Sequence, residues 1–151
     1  MFDVFQSLLS TLAPALNLPE ITLREDDPSC LLVIDDFEVS LRYLPGADMV
    51  MMFTVVAPLP ERGRESLYAA LLDANTFFHG TQGFTLAARE DTGVTLQGVM
   101  PLRMLDDSNI TVWVQNFVNV AEAWQSRCVS AEDEPVTEAP ADAFMQDMLR
   151  V

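Results

Sequence analysis

Leu71–Leu102 reads LLDANTFFHGTQGFTLAAREDTGVTLQGVMPL, and its punctuation decides the fold. Just before and within it, Leu67, Tyr68, Leu71, Leu72 and Asn75 recur at helical spacing, which predicts a helix over about Arg62–Phe77. Gly80 and Gly83 break the pattern. Phe84–Arg89 then alternates, with Phe84, Leu86 and Ala88 on one side. Glu90-Asp91-Thr92-Gly93 is a hairpin turn. The return strand, Val94–Leu102, sets Val94, Leu96, Met100 and Leu102 against Thr95, Gln97 and Val99. Gly98 within it marks a bulge or a close backbone approach.

Working towards the N-terminus, Met49–Ala57 (MVMMFTVVA) is apolar on both faces, as a central strand is, and Pro58 and Pro60 end it. Phe37–Leu44 alternates cleanly: Phe37, Val39, Leu41 and Tyr43 face one way, Glu38, Ser40 and Arg42 the other. Pro45-Gly46 turns the chain between these two strands. Cys30–Asp35 (CLLVID) is a short apolar strand. Phe2, Phe5, Leu8, Leu9 and Leu12 share one side of a helix over Phe2–Ala13, which Pro14 and Pro19 are expected to stop.

Towards the C-terminus, Asp106-Asp107-Ser108 forms a helix-starting cluster. A third helix over about Asn109–Val129 follows, with Ile110, Trp113, Val114, Phe117, Val120, Ala121 and Trp124 as a broad apolar stripe. The order is α-β-β-β-α-β-β-α. Strands joined by short turns, with helices on one side, make an α+β sandwich around an antiparallel sheet. Residues 1–129 are expected to be one domain. Residues 130–151 are expected to be an acidic, flexible tail, with amphipathic spacing again at Phe144, Met145, Met148 and Leu149.

The charge is lopsided: 23 acidic residues face eight basic ones, for a formal net charge of -15. All eight are Arg. Such a chain repels phosphate backbones and anionic lipid, so neither nucleic acid nor membrane is an expected partner. The surplus also keeps exposed apolar patches dispersed. Cys30 and Cys128 lie far apart in apolar surroundings and read as thiols of a reducing compartment. MFDVFQSLL lacks the positive start of a signal peptide, and no apolar run is long enough to cross a bilayer. A cytoplasmic location is expected.

No catalytic or metal-binding pattern stands out. His79 is the only histidine and has no Cys or His at ligand spacing, so no metal is expected. There is no G-x-S-x-G, no G-x-G-x-x-G and no Lys for a Schiff base or a phosphate loop. The clusters Glu25-Asp26-Asp27, Asp35-Asp36, Glu90-Asp91 and Asp106-Asp107 fall in turns, where Asp is favoured for local reasons, and none forms a calcium loop. No cofactor and no enzymatic activity are expected.

A helix closing on a Leu-Leu pair and an Asn, a following Gly, and a hairpin with an acid-x-Gly turn leading to Pro-Leu together resemble the Tir-chaperone (CesT) family, the class I type III secretion chaperones. The residues that carry the likeness are Leu71, Leu72, Asn75, Gly80, Leu86, Asp91, Gly93, Leu96, Pro101 and Leu102, within a resemblance spanning residues 1–129. It implies a homodimer, in a Gram-negative bacterium, that holds a secreted effector's N-terminal segment in extended form. It implies a self-association surface of Leu67, Tyr68, Leu71, Leu72, Phe84 and Leu86. It implies an effector surface of Phe2, Phe5, Leu9, Leu12, Leu32, Ile34, Val39 and Leu41, so that Phe5→Asp with Leu9→Asp should abolish partner binding in a folded protein. A regulatory chaperone that sequesters a transcription-control protein is the alternative within the family, suggested by Trp124-Gln125. A fold-sharing adaptor or sensory domain is the alternative outside it. The lack of Lys and the chain beyond the third helix depart from the family pattern. Independently of the likeness, an open sheet edge beside apolar grooves can accept a peptide by strand addition.

Overall fold

The computed structural model describes residues 1–24 and 26–131. Clean alternation in Phe37–Leu44 (β2) and the apolar run Met49–Ala57 (β3) pair antiparallel, with Leu41 opposite Met52 and Ser40 opposite Phe53. Ser29–Ile34 (β1) is hairpinned onto β2 through Asp35-Asp36, which places Leu32 opposite Val39 and Ile34 opposite Phe37. The chain then leaves the sheet for Arg64–Asn75 (α2) and returns as the hairpin Thr85–Arg89 (β4) and Gly93–Pro101 (β5). The five strands stand in the order β1-β2-β3-β5-β4. Edges are therefore β1 and β4.

Phe2–Ala15 (α1) and Ile110–Ala131 (α3) cover one face of this sheet, against each other and against β3. Phe5, Leu9 and Leu12 from α1, Phe117 and Ala121 from α3, and Val39, Leu41, Met52 and Leu96 from the sheet form one buried core. Phe84 meets Phe117 edge to face at 5.1 Å, and Phe5 lies 5.8 Å from Tyr43, separations at which aromatic pairs add to simple burial. The third element, α2, lies along β4.

Several boundaries move. Pro14 lies inside the last turn of α1 instead of stopping it, because a helix end can lose one N–H donor without losing its packing. α2 is shorter than the spacing suggests, Arg64–Asn75, with a 3-10 turn following. α3 runs on to Ala131, two residues into the stretch read as tail. Residues 132–151, with the amphipathic segment, lie outside the described residues.

The glycines of the deciding stretch serve packing. A Cβ on Gly98 would fall 2.6 Å from the Phe84 ring, so that glycine is a close approach. The register shift lies instead at Val55/Ala57 on β3. Gly93 has φ +105, and a Cβ there would lie 2.4 Å from the Ala57 carbonyl oxygen, so the hairpin needs a residue without one.

Candidate functional site

The two sheet edges are chemically unequal. On β4, the Asn75 side chain imitates a neighbouring strand. Its Nδ2 donates to the Leu86 carbonyl at 2.9 Å and its Oδ1 accepts from the Leu86 N–H at 2.9 Å. This is the reason an Asn closes α2 in the deciding stretch. Asn75→Ala removes two part-buried hydrogen bonds and uncaps an edge strand. It is expected to cost ~1–3 kcal/mol in urea denaturation and to increase concentration-dependent association by light scattering.

Among the described residues nothing comparable occurs on β1. The Tyr43 N–H donates to the Pro28 carbonyl at 2.9 Å, and the register alternates from there, so Pro28, Cys30, Leu32 and Ile34 bond to β2. Leu31 and Val33 therefore turn their N–H and C=O groups away from the sheet. No strand of the described residues lies beyond them. Their side chains are also out, 59% and 62% exposed. Cross-strand partners share a face, so Leu31, Ser40, Phe53, Gln97 and Thr85 form a continuous row across all five strands. Val55 and Val99, on this same helix-free face, are exposed as well. A hollow of about 500 Å³ opens on it, lined by Leu31, Asp36, Glu38, Ser40, Phe53, Thr54 and Val55.

Phe5, Leu9, Leu12, Leu32, Val39 and Leu41, expected to meet an effector, are between 0% and 3% exposed within the single chain. Their burial has a simple cause. They are the inward-pointing half of their helix and strands, closed between α1, α3 and the sheet, and a side chain sealed there has no face left for a partner. Phe2 and Ile34 keep partial exposure at the border of that core. Ile34 lines a second hollow with Leu16, Val114 and Val118. Leu31 and Val33 went unremarked because an all-apolar strand has no visible inside. The available signal was their pairing opposite Ser40 and Glu38 of the alternating strand.

The expected self-association surface divides in the same way. Leu67, Leu71, Phe84 and Leu86 are buried in the core of the single chain, Leu67 and Leu71 as the stripe by which α2 packs along β4. Tyr68 is half-buried and Leu72 is 70% exposed. Beyond them stand two residues that the spacing did not single out. Phe77 and Phe78 both have left-handed backbones, φ 53 and φ 56, and Phe77 is 86% exposed. Such a conformation costs of order 1–3 kcal/mol per residue in a bulky side chain.

The remaining chemistry is structural. The His79 ring nitrogen lies 2.8 Å from the Asp73 carbonyl and 3.4 Å from its carboxylate, a closure of the end of α2. Arg89 pairs with Asp91 across the hairpin at 3.0 Å, which, with Thr92, holds the Asp91 carboxyl down at about 2. Trp124 is buried, and its indole N–H donates to the Gly80 carbonyl at 2.9 Å, tying α3 to the turn after α2. The Trp124 that suggested a regulatory role is thus taken up by packing. Cys30 and Cys128 are free thiols; burial pushes Cys30 up to about 11, which makes it a poor nucleophile. Among the described residues no group of three metal-ligating side chains converges, and no helix is long and apolar enough to cross a membrane.

A family model described as the Tir chaperone protein (CesT) family matches residues 7–125. No curated protein is significantly similar to the chain in sequence. Several solved structures share its fold. The ExsC–ExsE complex superposes with a TM-score of 0.71 at 21% identity, covering 83% of this chain and 94% of that one. The HopA1–SchA chaperone–effector complex gives 0.66 at 14% identity, covering 83% and 95%. The Yersinia pestis type III secretion chaperone SycH, in complex with a fragment of YscM2, gives 0.62 at 22% identity, covering 79% and 98%.

Proposed function

The chain belongs to the Tir chaperone protein (CesT) family, and on that premise we propose that it is a type III secretion chaperone that holds the N-terminal region of an effector in extended form, soluble and ready for export. The observation that carries this reading is the open β1 edge. Leu31 and Val33 there offer main-chain hydrogen bonds and apolar side chains together. Main-chain bonds supply affinity for an extended segment whatever its sequence, and the side chains beside them supply choice. Ordering the segment would cost ~2–5 kcal/mol, to be offset by burying ~1,000–3,000 Å². No reaction is assigned to the protein. Its place is the cytoplasm, in keeping with two free thiols.

The working form is a homodimer, joined through Leu72, Phe77 and Phe78. An aromatic pair held out on left-handed backbone gains nothing from water, whereas a partner surface would recover its burial. Phe77→Ser with Phe78→Ser should therefore give a monomer in sedimentation at micromolar concentration, where the parent protein is a dimer. A double variant that remains dimeric would move the interface elsewhere.

Co-purification from the native host tests the central proposal. The expected partner is a secreted protein captured through its N-terminal segment, with that segment protease-labile when released. The capture should be lost when Leu31 and Val33 are both charged. A partner that binds as a folded domain, or equally well to the charged variant, would overturn the reading.

A further inference from the structure

We infer that the β1 edge selects a client strand bearing a basic side chain, Arg or Lys, two residues from an apolar one; the inference rests on the strand-addition reading above. Acids bracket β1 at both ends, but only one end is neutralised. Before the strand, Asp26 pairs with Arg24, and Asp27 lies 3.7 Å from Arg42. After it, Asp36 and Glu38 have no ion-pair partner among the described residues, and both carboxylates are exposed.

Those two carboxylates line the same hollow as Leu31, Phe53 and Val55, with Ser40 and Thr54 between. Apolar surface beside unpaired carboxylates matches one kind of side chain: a long aliphatic stem ending in a cation. Arg and Lys lay such stems on apolar surface and keep the charged head at its polar border. A hydrophobic residue would cover the apolar lining but leave the carboxylates unanswered, and an acidic residue would meet repulsion.

The strand register fixes where that side chain must come from. Client residues paired with Leu31 and Val33 are two apart, and both point to the face that carries the hollow. Glu38 sits directly opposite Val33 on β2. The residue paired with Val33 is therefore the basic one, and the residue paired with Leu31 is apolar. The chain's net charge of -15 acts in the same direction at longer range, speeding encounter with a cationic segment.

The test uses the full chain and fluorescent nine-residue peptides of alternating Thr and Ser. Each carries Arg, Gln or Glu two residues from one Leu, made in both orders so that parallel and antiparallel addition are each served, and binding is followed by anisotropy. The Arg peptide is expected to bind about five- to tenfold more tightly than the Gln peptide, with the Glu peptide weakest. Asp36→Asn with Glu38→Gln should erase the difference between Arg and Gln. Raised salt should shrink it. A further peptide, the Arg peptide with alternate main-chain nitrogens methylated, should not bind, since it cannot pair with an edge. If Arg and Gln peptides bind alike while the methylated one fails, the charge selection is wrong and strand addition stands. If the methylated peptide binds as well as its parent, or none binds up to about 1 mM, the strand-addition reading falls and takes the selection with it.

Discussion

Replacing Phe5 and Leu9 together by Asp is expected to unfold the protein, not to blunt a binding surface. Both side chains are 0% exposed, and each substitution leaves a cavity and brings in a charge. Truncation of a large buried apolar residue alone costs ~2–5 kcal/mol. A carboxylate without a partner in that space adds several more unless it takes up a proton. Total stability for a domain is ~5–15 kcal/mol, so the sum consumes it. The expected result is loss of the cooperative thermal transition seen by circular dichroism, with partner binding lost only as a consequence. A double variant that stayed folded, with an unchanged transition, and yet failed to hold its partner would return the effector surface to α1.

Charging Leu31 and Val33 should do the reverse. Leu31→Lys with Val33→Lys alters two side chains that already stand in water, so its effect on stability should stay near ±0.5 kcal/mol per site. The effect on binding should be large. An added strand would have to bury its apolar side chain against one cation and set its basic side chain beside the other, with Asp36 and Glu38 already answered. A loss of at least about a hundredfold in partner affinity is expected, some 2.7 kcal/mol. It should be measured by isothermal titration with the captured segment, beside a melting curve that does not move. Retained affinity would show that partners use neither this edge nor this face.

The contrast between the two double variants shows where sequence reasoning stops. Phe37–Leu44 told its own inside from its outside, because polar residues mark every second position, and the structure agrees residue by residue along it. Ser29–Ile34 offered no such mark. Leu31, Leu32, Val33 and Ile34 are all apolar, and a shift of one residue would exchange the buried and exposed sets. Only the hairpin register, fixed by the two-residue turn Asp35-Asp36, sends Leu32 inward and Leu31 and Val33 out. Asn75 illustrates a different limit. Its place at the end of a helix was visible, but its bond to Leu86 joins residues from two elements whose approach no local pattern encodes. Phe77 stood at the expected end of the second helix and Phe78 beyond it, and nothing in their spacing encodes the left-handed backbone with which the chain turns to β4.

What the sequence by itself determined is the list of elements, their antiparallel order, the turns between them and a surplus of negative charge, because each follows from short-range spacing or from composition. The tertiary structure alone decided which apolar side chains are spent on the core and which remain for a partner. That choice depends on register and on which strand lies at the sheet edge, and both are set by contacts between residues far apart in the chain. The pattern of Leu and Val in β1 is compatible with either outcome; its neighbours selected one.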